Sequence, residues 1–385
     1  MSSKIQKIFQ SFKERLPSQS YSPQKTKVID AICKCRTPEM GGFVQRCDDC
    51  GYTEAHFNSC RNRHCPVCQG SNQRKWVEKQ VANTLPIPYF HVVFTVPAEL
   101  NPLFLANPDN MFNLLFRAAS QTVLTLSENE KFLGAQPGFI AVLHTWGRNI
   151  QFHPHLHCIV TGGGLSSDRK RFVVSKDSFF LPLKAISIVF RGKFLEELKT
   201  FFVNNTLQLT EGLDTVQKRQ QFLDLLYSKD WVCYCKKPFK DASAVIRYLG
   251  RYTHKVAISD SRIVSHNPDT QTVRFHWKDY KDHNKIKIMQ LSEDEFVRRF
   301  LLHVLPKGFM KIRHYGLLAN RGREERLELC RDLLKATAPT GVIQEFPKCK
   351  VEPLDRCPKC GSQSFLLVPR SLYAQPALLP TGTGP

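Results

Sequence analysis

Acidic residues are in short supply in this chain of 385 residues. Asp and Glu number 34 against 55 Lys and Arg, for a formal net charge of +21. Long apolar runs are missing as well. None reaches the roughly 18 residues that a bilayer-spanning helix needs, so a membrane partner is not expected. The start, Met1-Ser-Ser-Lys-Ile-Gln-Lys7, has no apolar stretch of the kind that opens a secretory signal. Internal repeats are absent, which argues against a solenoid or propeller array. No long segment has the composition of a disordered chain, and 42% apolar residues suffice for a sizeable core.

The positive charge is clustered. Residues 1–80 carry 14 basic against 7 acidic residues, and residues 236–326 carry 20 against 10, so two blocks hold 17 of the 21 net charges. Clustering of that kind favours a polyanion, most simply nucleic acid. The 14 cysteines, in a chain without a signal segment, read as thiols and metal ligands in a reducing compartment.

Apolar spacing outlines the elements. Ile5, Ile8, Phe9, Phe12 and Leu16 predict a helix over 3–16. The run 89–96, ending at Pro97, predicts a central strand. A helix is expected over 109–126, and strands over 138–146 and 151–160 joined by Gly147-Arg148-Asn149. Helices follow over 187–202, 214–227 and 241–254. Strands follow over 261–266, 271–277 and 285–290, then a helix over 293–304 with Ser292 and Glu295 as a capping box. Domain boundaries are expected near 85 and 325, with 1–85 binding zinc, 86–325 carrying the chemistry and 326–385 forming a tail.

Three constellations carry chemistry. Cys47-x2-Cys50 and Cys65-x2-Cys68 are two knuckles 15 residues apart, the spacing of a tetrahedral zinc ribbon. Cys35, Cys60 and His64, with Cys33, are candidates for a second zinc site or for packing thiols. Cys357-x2-Cys360 is a third knuckle, which Cys330 and Cys349 would complete. Arg36, Arg46, Arg61, Arg63, Arg74 and Lys75 fringe the N-terminal knuckles, and such a fringe suits phosphates.

The second constellation is His153-Pro-His155-Leu-His157. On a strand these three imidazoles share a face, because side chains alternate with period two. They form a platform for a divalent metal, with His155 and His157 as ligands and His153, His91 or His144 as the third. A buried polar ladder is the alternative. Gly162, Gly163 and Gly164 are expected to stop the strand. The third constellation is Tyr248-Leu-Gly-Arg-Tyr252. On a helix the two tyrosines lie one turn apart on one face. Tyrosine serves as a nucleophile when positive charge helps it ionise, and Arg247, Arg251, His254 and Lys255 supply that charge. Core packing beside Ile246 and Leu249 is the alternative.

In combination these tracts resemble the rolling-circle insertion-sequence transposases of the HUH, two-tyrosine class, in particular the "ninety-one" family of bacterial insertion sequences. The likeness runs from about residue 30 to 320 through Cys60–Gln69, Phe90–Pro97, His155-Leu-His157 and Tyr248–Lys255. It implies an α+β fold: an HUH-nuclease core with an antiparallel sheet flanked by helices, plus an N-terminal zinc-binding domain. It also implies a single-strand DNA nuclease and strand transferase in the bacterial cytoplasm, at the nucleoid, with Mg²⁺ or Mn²⁺ for catalysis and Zn²⁺ for structure. His155 and His157 would hold the catalytic metal, and Tyr248 and Tyr252 would form 5′-phosphotyrosine. The partner would be single-stranded transposon ends with hairpins. Arg247, Arg251, Lys255, Arg61 and Arg63 are the expected DNA contacts, with Trp146, Trp277, Tyr280 and Tyr315 as stacking candidates. A plasmid or phage replication initiator shares this chemistry. A non-catalytic zinc-finger regulator would explain the charge and cysteines but not the histidines and tyrosines.

Overall fold

A computed structural model describes residues 3–15, 21–68, 76–81, 83–175, 181–239, 250, 257–279, 282–337 and 356–369. The chain forms two units: Met1–Cys68 with Thr340–Pro385, and Gln69–Pro339. This division differs from the expected boundaries, because the C-terminal residues join the N-terminal ones.

The smaller unit opens with helices α1 (Lys4–Glu14) and α2 (Pro23–Lys34). Ser3 caps α1 by accepting from the Gln6 N–H, and Ile5, Ile8, Phe9 and Phe12 form its buried stripe. Pro23 begins α2 where its missing N–H costs nothing. A hairpin follows, β1 (Gly42–Cys47) and β2 (Thr53–Phe57). The strand Phe365–Pro369 (β12) pairs antiparallel with the other edge of β1.

The larger unit is built on an antiparallel sheet of β3 (Tyr89–Thr95), β4 (Gln136–Trp146), β5 (Phe152–Leu165), β7 (Cys233–Phe239) and β11 (Ile312–Gly316). The strand order is β11-β4-β5-β3-β7, and the short β6 (Phe172–Val174) pairs with β5. One face presents Val92, Phe94, Phe139, Ala141, Leu143, Leu156, Cys158 and Val160. Two long helices cover it, α4 (Pro108–Glu128) and α5 (Leu183–Val203), with the short α3 (Asn101–Ala106) and α6 (Val216–Ser228) alongside. The α5 stripe is Ile186, Phe190, Phe194, Leu198 and Phe202, spaced by four. Phe190 meets Phe94 edge to face at 4.9 Å. Truncating a buried phenylalanine of this kind to alanine costs about 3–5 kcal/mol.

The opposite face buries Tyr89, Ile140, Val142 and Ile159 against Leu317, Leu327 and Cys330, the last two on helix α8 (Arg323–Thr337). A second sheet, β8 (Ile263–Asn267), β9 (Thr272–Asp279) and β10 (Lys285–Ser292), leads into α7 (Glu293–Leu301). Ser292 caps α7 by accepting from the Glu295 N–H, while the Glu295 carboxylate turns to Arg298 and Arg299. Among the described residues, no helix is long and apolar enough to cross a membrane.

The glycines after the histidines do not stop β5, which runs through all three to Leu165. A Cβ at Gly162 would sit 2.6 Å from the Pro88 carbonyl oxygen, and one at Gly164 would sit 2.5 Å from that of Gln136. The glycines let neighbouring backbone come close on both sides of the strand.

Candidate metal centres

In the larger unit, β5 is paired along its length by β4 on one side and β3 on the other. His155 lies opposite His144 on β4, and His157 lies opposite Val142. The period-two pattern and the register therefore bring His144, His155 and His157 together, with one ring nitrogen from each within 4.8 Å of the others. The Nε2 atoms of His155 and His157 are 3.1 Å apart. Two nitrogens each about 2.1 Å from a shared cation lie about 3.0 Å apart at a right angle and about 3.4 Å apart at a tetrahedral angle. The pair therefore fits a divalent metal without rearrangement.

The other nitrogens are tied back. His155 Nδ1 lies 2.7 Å from the His153 carbonyl oxygen, so it carries the proton and donates. His157 Nδ1 lies 2.8 Å from His91 Nε2. The His91 and His157 planes are 9° apart with centroids at 5.0 Å. At that nitrogen separation the rings meet edge to edge in nearly one plane, which is the geometry of an N–H···N bond. Partners of this kind fix tautomer and ring orientation in metal sites.

His144 takes the third position in the group, and neither His153 nor His91 does. The His144 ring stacks on Trp146 at 4.7 Å, which holds it in place. Burial lowers His155 to about 4. Burial, then the neighbouring His144 and His155, lowers His157 well below its ordinary value. Both rings are thus neutral near pH 7, as ligation requires. Arg148 in the β4–β5 turn adds to the effect on His157. Its place between the two strands was readable from sequence, but its nearness to the histidines depended on how β4 and β5 pair.

Other expected residues land elsewhere. Tyr315 is partly buried and packs on Phe139 at 4.9 Å. Trp277 lies half-buried on β9. Tyr248, Tyr252, Arg247, Arg251, Lys255, His254 and Tyr280 lie outside the described residues.

In the smaller unit the cysteines do not pair as their spacing suggested. Cys65 and Cys68 join Cys35 and Cys60, while Cys47 and Cys50 join Cys357 and Cys360. The reason is topological: β1 and β2 carry the first knuckle away along a hairpin, whereas the end of α2 delivers Cys35 to the second. The buried Gln6 fixes that helix end by donating from Nε2 to the Cys33 and Cys35 carbonyls, at 3.0 and 2.7 Å.

Cys35 and Cys60 lie 3.4 and 3.5 Å from Cys68, sulfur to sulfur. A disulfide would need about 2.05 Å, and four sulfurs at about 2.3 Å from zinc sit about 3.8 Å apart. The group is within a few tenths of an ångström of that tetrahedron. Taken alone, four adjacent thiols cannot all ionise. The Cys60 and Cys65 thiols donate to Cys35 and bring it down to about 2, and the same bond pushes Cys60 up to about 12. A dication removes the conflict.

His64 is buried beside this group without joining it, and Cys33 packs on α2, its thiol pushed up to about 11 by burial. Cys330 belongs to the core of the larger unit, and Cys349 lies outside the described residues, so neither completes the C-terminal knuckle as expected. Arg61 is exposed next to Cys60, and Arg63 is half-buried.

Comparison with known proteins agrees with both halves. The family described as "Putative transposase" matches residues 138–326, and "Transposase zinc-binding domain", the IS91 type, matches residues 4–96. The "Putative transposase y4qJ" of Sinorhizobium fredii (strain NBRC 101917 / NGR234) is 43% identical over 374 residues, 94% of each chain. The "Transposase for insertion sequence element IS801" of Pseudomonas savastanoi pv. phaseolicola is 29% identical over 356 residues, 88% of this chain and 82% of that protein.

Among solved structures, the conjugative relaxase TrwC in complex with oriT DNA, metal-free, is similar with a TM-score of 0.24 and 12% identity, covering 43% of this chain and 71% of that one. Its metal-bound form gives 0.25 and 11%, covering 57% and 92%. Scores that low add no weight to any statement about this chain.

With these matches, the antiparallel sheet carrying a histidine cluster and the zinc-binding domain belong to a DNA-processing enzyme of the transposase class. The chain belongs to the IS91 family of rolling-circle insertion-sequence transposases.

Proposed function

We propose that this transposase cuts and joins single-stranded DNA at transposon ends with hairpins. In this reading His144, His155 and His157 hold Mg²⁺ or Mn²⁺, and Tyr248 and Tyr252 act as nucleophiles. The observation that carries the reading is the facing pair of Nε2 atoms, 3.1 Å apart. A bound cation would polarise a non-bridging phosphate oxygen. Everything else falls to the chain. The His153 carbonyl and His91 keep the Nδ1 protons in place, so that His155 and His157 present bare Nε2 atoms. The hydroxyl of one tyrosine loses its proton and its oxygen attacks phosphorus. The bond from phosphorus to the 3′ oxygen breaks, and that oxygen leaves protonated as a free 3′-OH. The 5′-phosphotyrosine keeps the bond energy, so a second strand's 3′-OH reverses the step and joins the strands. Arg148, and the basic residues Arg247, Arg251 and Lys255, suit the phosphates before and after the cut.

Cys35, Cys60, Cys65 and Cys68 hold a structural zinc in this reading, with Arg61 and Arg63 beside it toward DNA. The test is incubation with single-stranded element-end oligonucleotides and Mg²⁺ or Mn²⁺. A covalent protein–DNA adduct that maps to Tyr248 or Tyr252, and vanishes in the Tyr248→Phe/Tyr252→Phe variant, is the expected result. Normal cleavage by that double variant would overturn the assignment.

A further inference from the structure

The transposase zinc-binding domain match ends at residue 96. A second four-cysteine group draws half its sulfurs from far beyond it. Cys47 Sγ lies 3.6 Å from Cys360 Sγ, and Cys50 Sγ lies 3.6 Å from Cys357 Sγ, across 313 and 307 residues of chain. These separations are too long for disulfides and close to the edge of a zinc–thiolate tetrahedron, about 3.8 Å.

The two halves are built alike. In the N-terminal half, the Gly51 N–H donates to the Cys47 carbonyl at 3.0 Å, and the Cys47 N–H donates to the Tyr52 carbonyl at 2.8 Å. In the C-terminal half, the Gly361 N–H donates to the Cys357 carbonyl at 2.8 Å, and the Cys357 N–H donates to the Ser362 carbonyl at 2.7 Å. Gly51 and Gly361 take φ of +69° and +78°, the left-handed turn that glycine adopts without strain. The sequences match in kind, Cys-Asp-Asp-Cys-Gly and Cys-Pro-Lys-Cys-Gly. Each half is a knuckle that turns its sulfurs to one point.

The halves are also stitched together. The Asp48 N–H donates to the Ser364 carbonyl at 3.2 Å, and Ser364 Oγ donates to the Asp48 carboxylate at 2.7 Å. From there β12 runs along β1, Phe365 opposite Cys47 and Pro369 opposite Phe43. Little apolar surface supports this sheet: Phe43 and Leu366 are both exposed. Three short strands with so thin a core need another source of stability.

We propose that Cys47, Cys50, Cys357 and Cys360 bind a second zinc ion in a ribbon assembled from the two ends of the chain. Four soft thiolates in a tetrahedron select zinc over hard cations such as Mg²⁺ and Mn²⁺. The ribbon is complete only once the segment from Cys357 to Pro369 has been made and seated. A product truncated before Cys357 keeps the first zinc site and every histidine but lacks this one. The inference rests on the zinc-binding unit alone and is independent of the cleavage chemistry.

The test uses the full-length protein, elemental analysis, and alkylation by iodoacetamide with peptide mass mapping. Two zinc ions per chain are expected, falling to one in Cys357→Ser/Cys360→Ser. In that variant Cys47 and Cys50 become at least tenfold more reactive, while Cys35, Cys60, Cys65 and Cys68 stay protected. Unchanged zinc content, with Cys47 and Cys50 still protected, would overturn the proposal in favour of a ribbon of the two N-terminal knuckles. A wild-type content of one zinc would overturn it too. The milder Cys360→His, at an exposed ligand position, keeps four ligands and guards against general unfolding. A graded chelator should then strip one ion earlier than in wild type and the other at the same concentration. Equal weakening of both ions, or of neither, would again overturn it.

Discussion

The histidine cluster and the cysteine groups are both arrays of metal-ligating side chains, yet different forces hold them. His155 and His157 stand on a strand that is hydrogen-bonded on both sides and backed by a continuous apolar layer including Phe94, Phe139, Leu143, Leu156 and Phe190. The cysteines stand on turns beside three short strands and two helices. The first platform is preorganised by burial of apolar area, at about 25 cal/mol per Å². The second is held chiefly by what its sulfurs bind, as in zinc modules whose metal affinity is their folding free energy. A metal can therefore be removed from one with small structural effect and from the other only with collapse.

The largest test of that contrast is Cys65→Ser. Structural zinc in small modules contributes about 10–16 kcal/mol, so this variant should lose one zinc and unfold its surroundings around Cys35 and Cys60–Cys68, with the larger unit intact. Hydrogen exchange measured by mass spectrometry reads both units at once. Equal protection in wild type and variant would erase the distinction.

His155→Ala is expected to lower single-strand cleavage by about 100-fold or more, several kcal/mol of barrier. Its melting temperature should fall by only a few degrees, because the side chain carries none of the apolar layer that holds the sheet. Melting by calorimetry beside a cleavage gel separates the two effects, and a variant that unfolds would mean that the cluster is structural.

Acid should weaken the larger unit. His303 is fully buried, bonded to Thr145 Oγ1 and the Ile150 carbonyl, and burial lowers it to about 4. Its folded value lies below the ordinary 6.5, so the unfolded chain binds the proton first. The stability it provides is complete above about pH 6.5 and is lost as pH falls toward 4, by about 3 kcal/mol. Urea titrations at pH 7 and pH 4.5 should differ accordingly, and His303→Gln should flatten the difference.

The smallest effect is expected at His91. Losing a partner behind a metal ligand costs about 10–100-fold in metal affinity or activity. His91→Ala should raise the Mn²⁺ concentration for half-maximal cleavage by that factor, with excess Mn²⁺ restoring much of the rate. No change in the metal requirement would leave His91 as packing.

Much of the larger unit was readable in order along the chain. The apolar run of β3, the periodicity of α4, the α5 stripe and the cap at Ser292 all mark elements within a few residues of their ends. The strands β7 and β11 were not readable. Each lies at a sheet edge, and its place there depends on pairing with β3 or β4 rather than on its own pattern. The glycines after His157 misled for a similar reason. Glycine breaks strands by propensity, but here neighbouring backbones need the space. The knuckle spacing misled about which cysteines meet, because sequence distance says nothing of a hairpin that swings one knuckle away.

By itself the sequence determined which residues point the same way. Period two put His153, His155 and His157 on one face, and CxxC turns made knuckles, because these geometries span a few residues and follow from local backbone sterics. Only the tertiary structure decided which of these local pieces meet. It chose His144 over His153 as third member of the cluster, set His91 behind His157, and split the cysteines into two groups, one of which joins residues 47 and 50 to 357 and 360. Those choices rest on register and topology, which are fixed by burying apolar faces across hundreds of residues, and no local pattern encodes them.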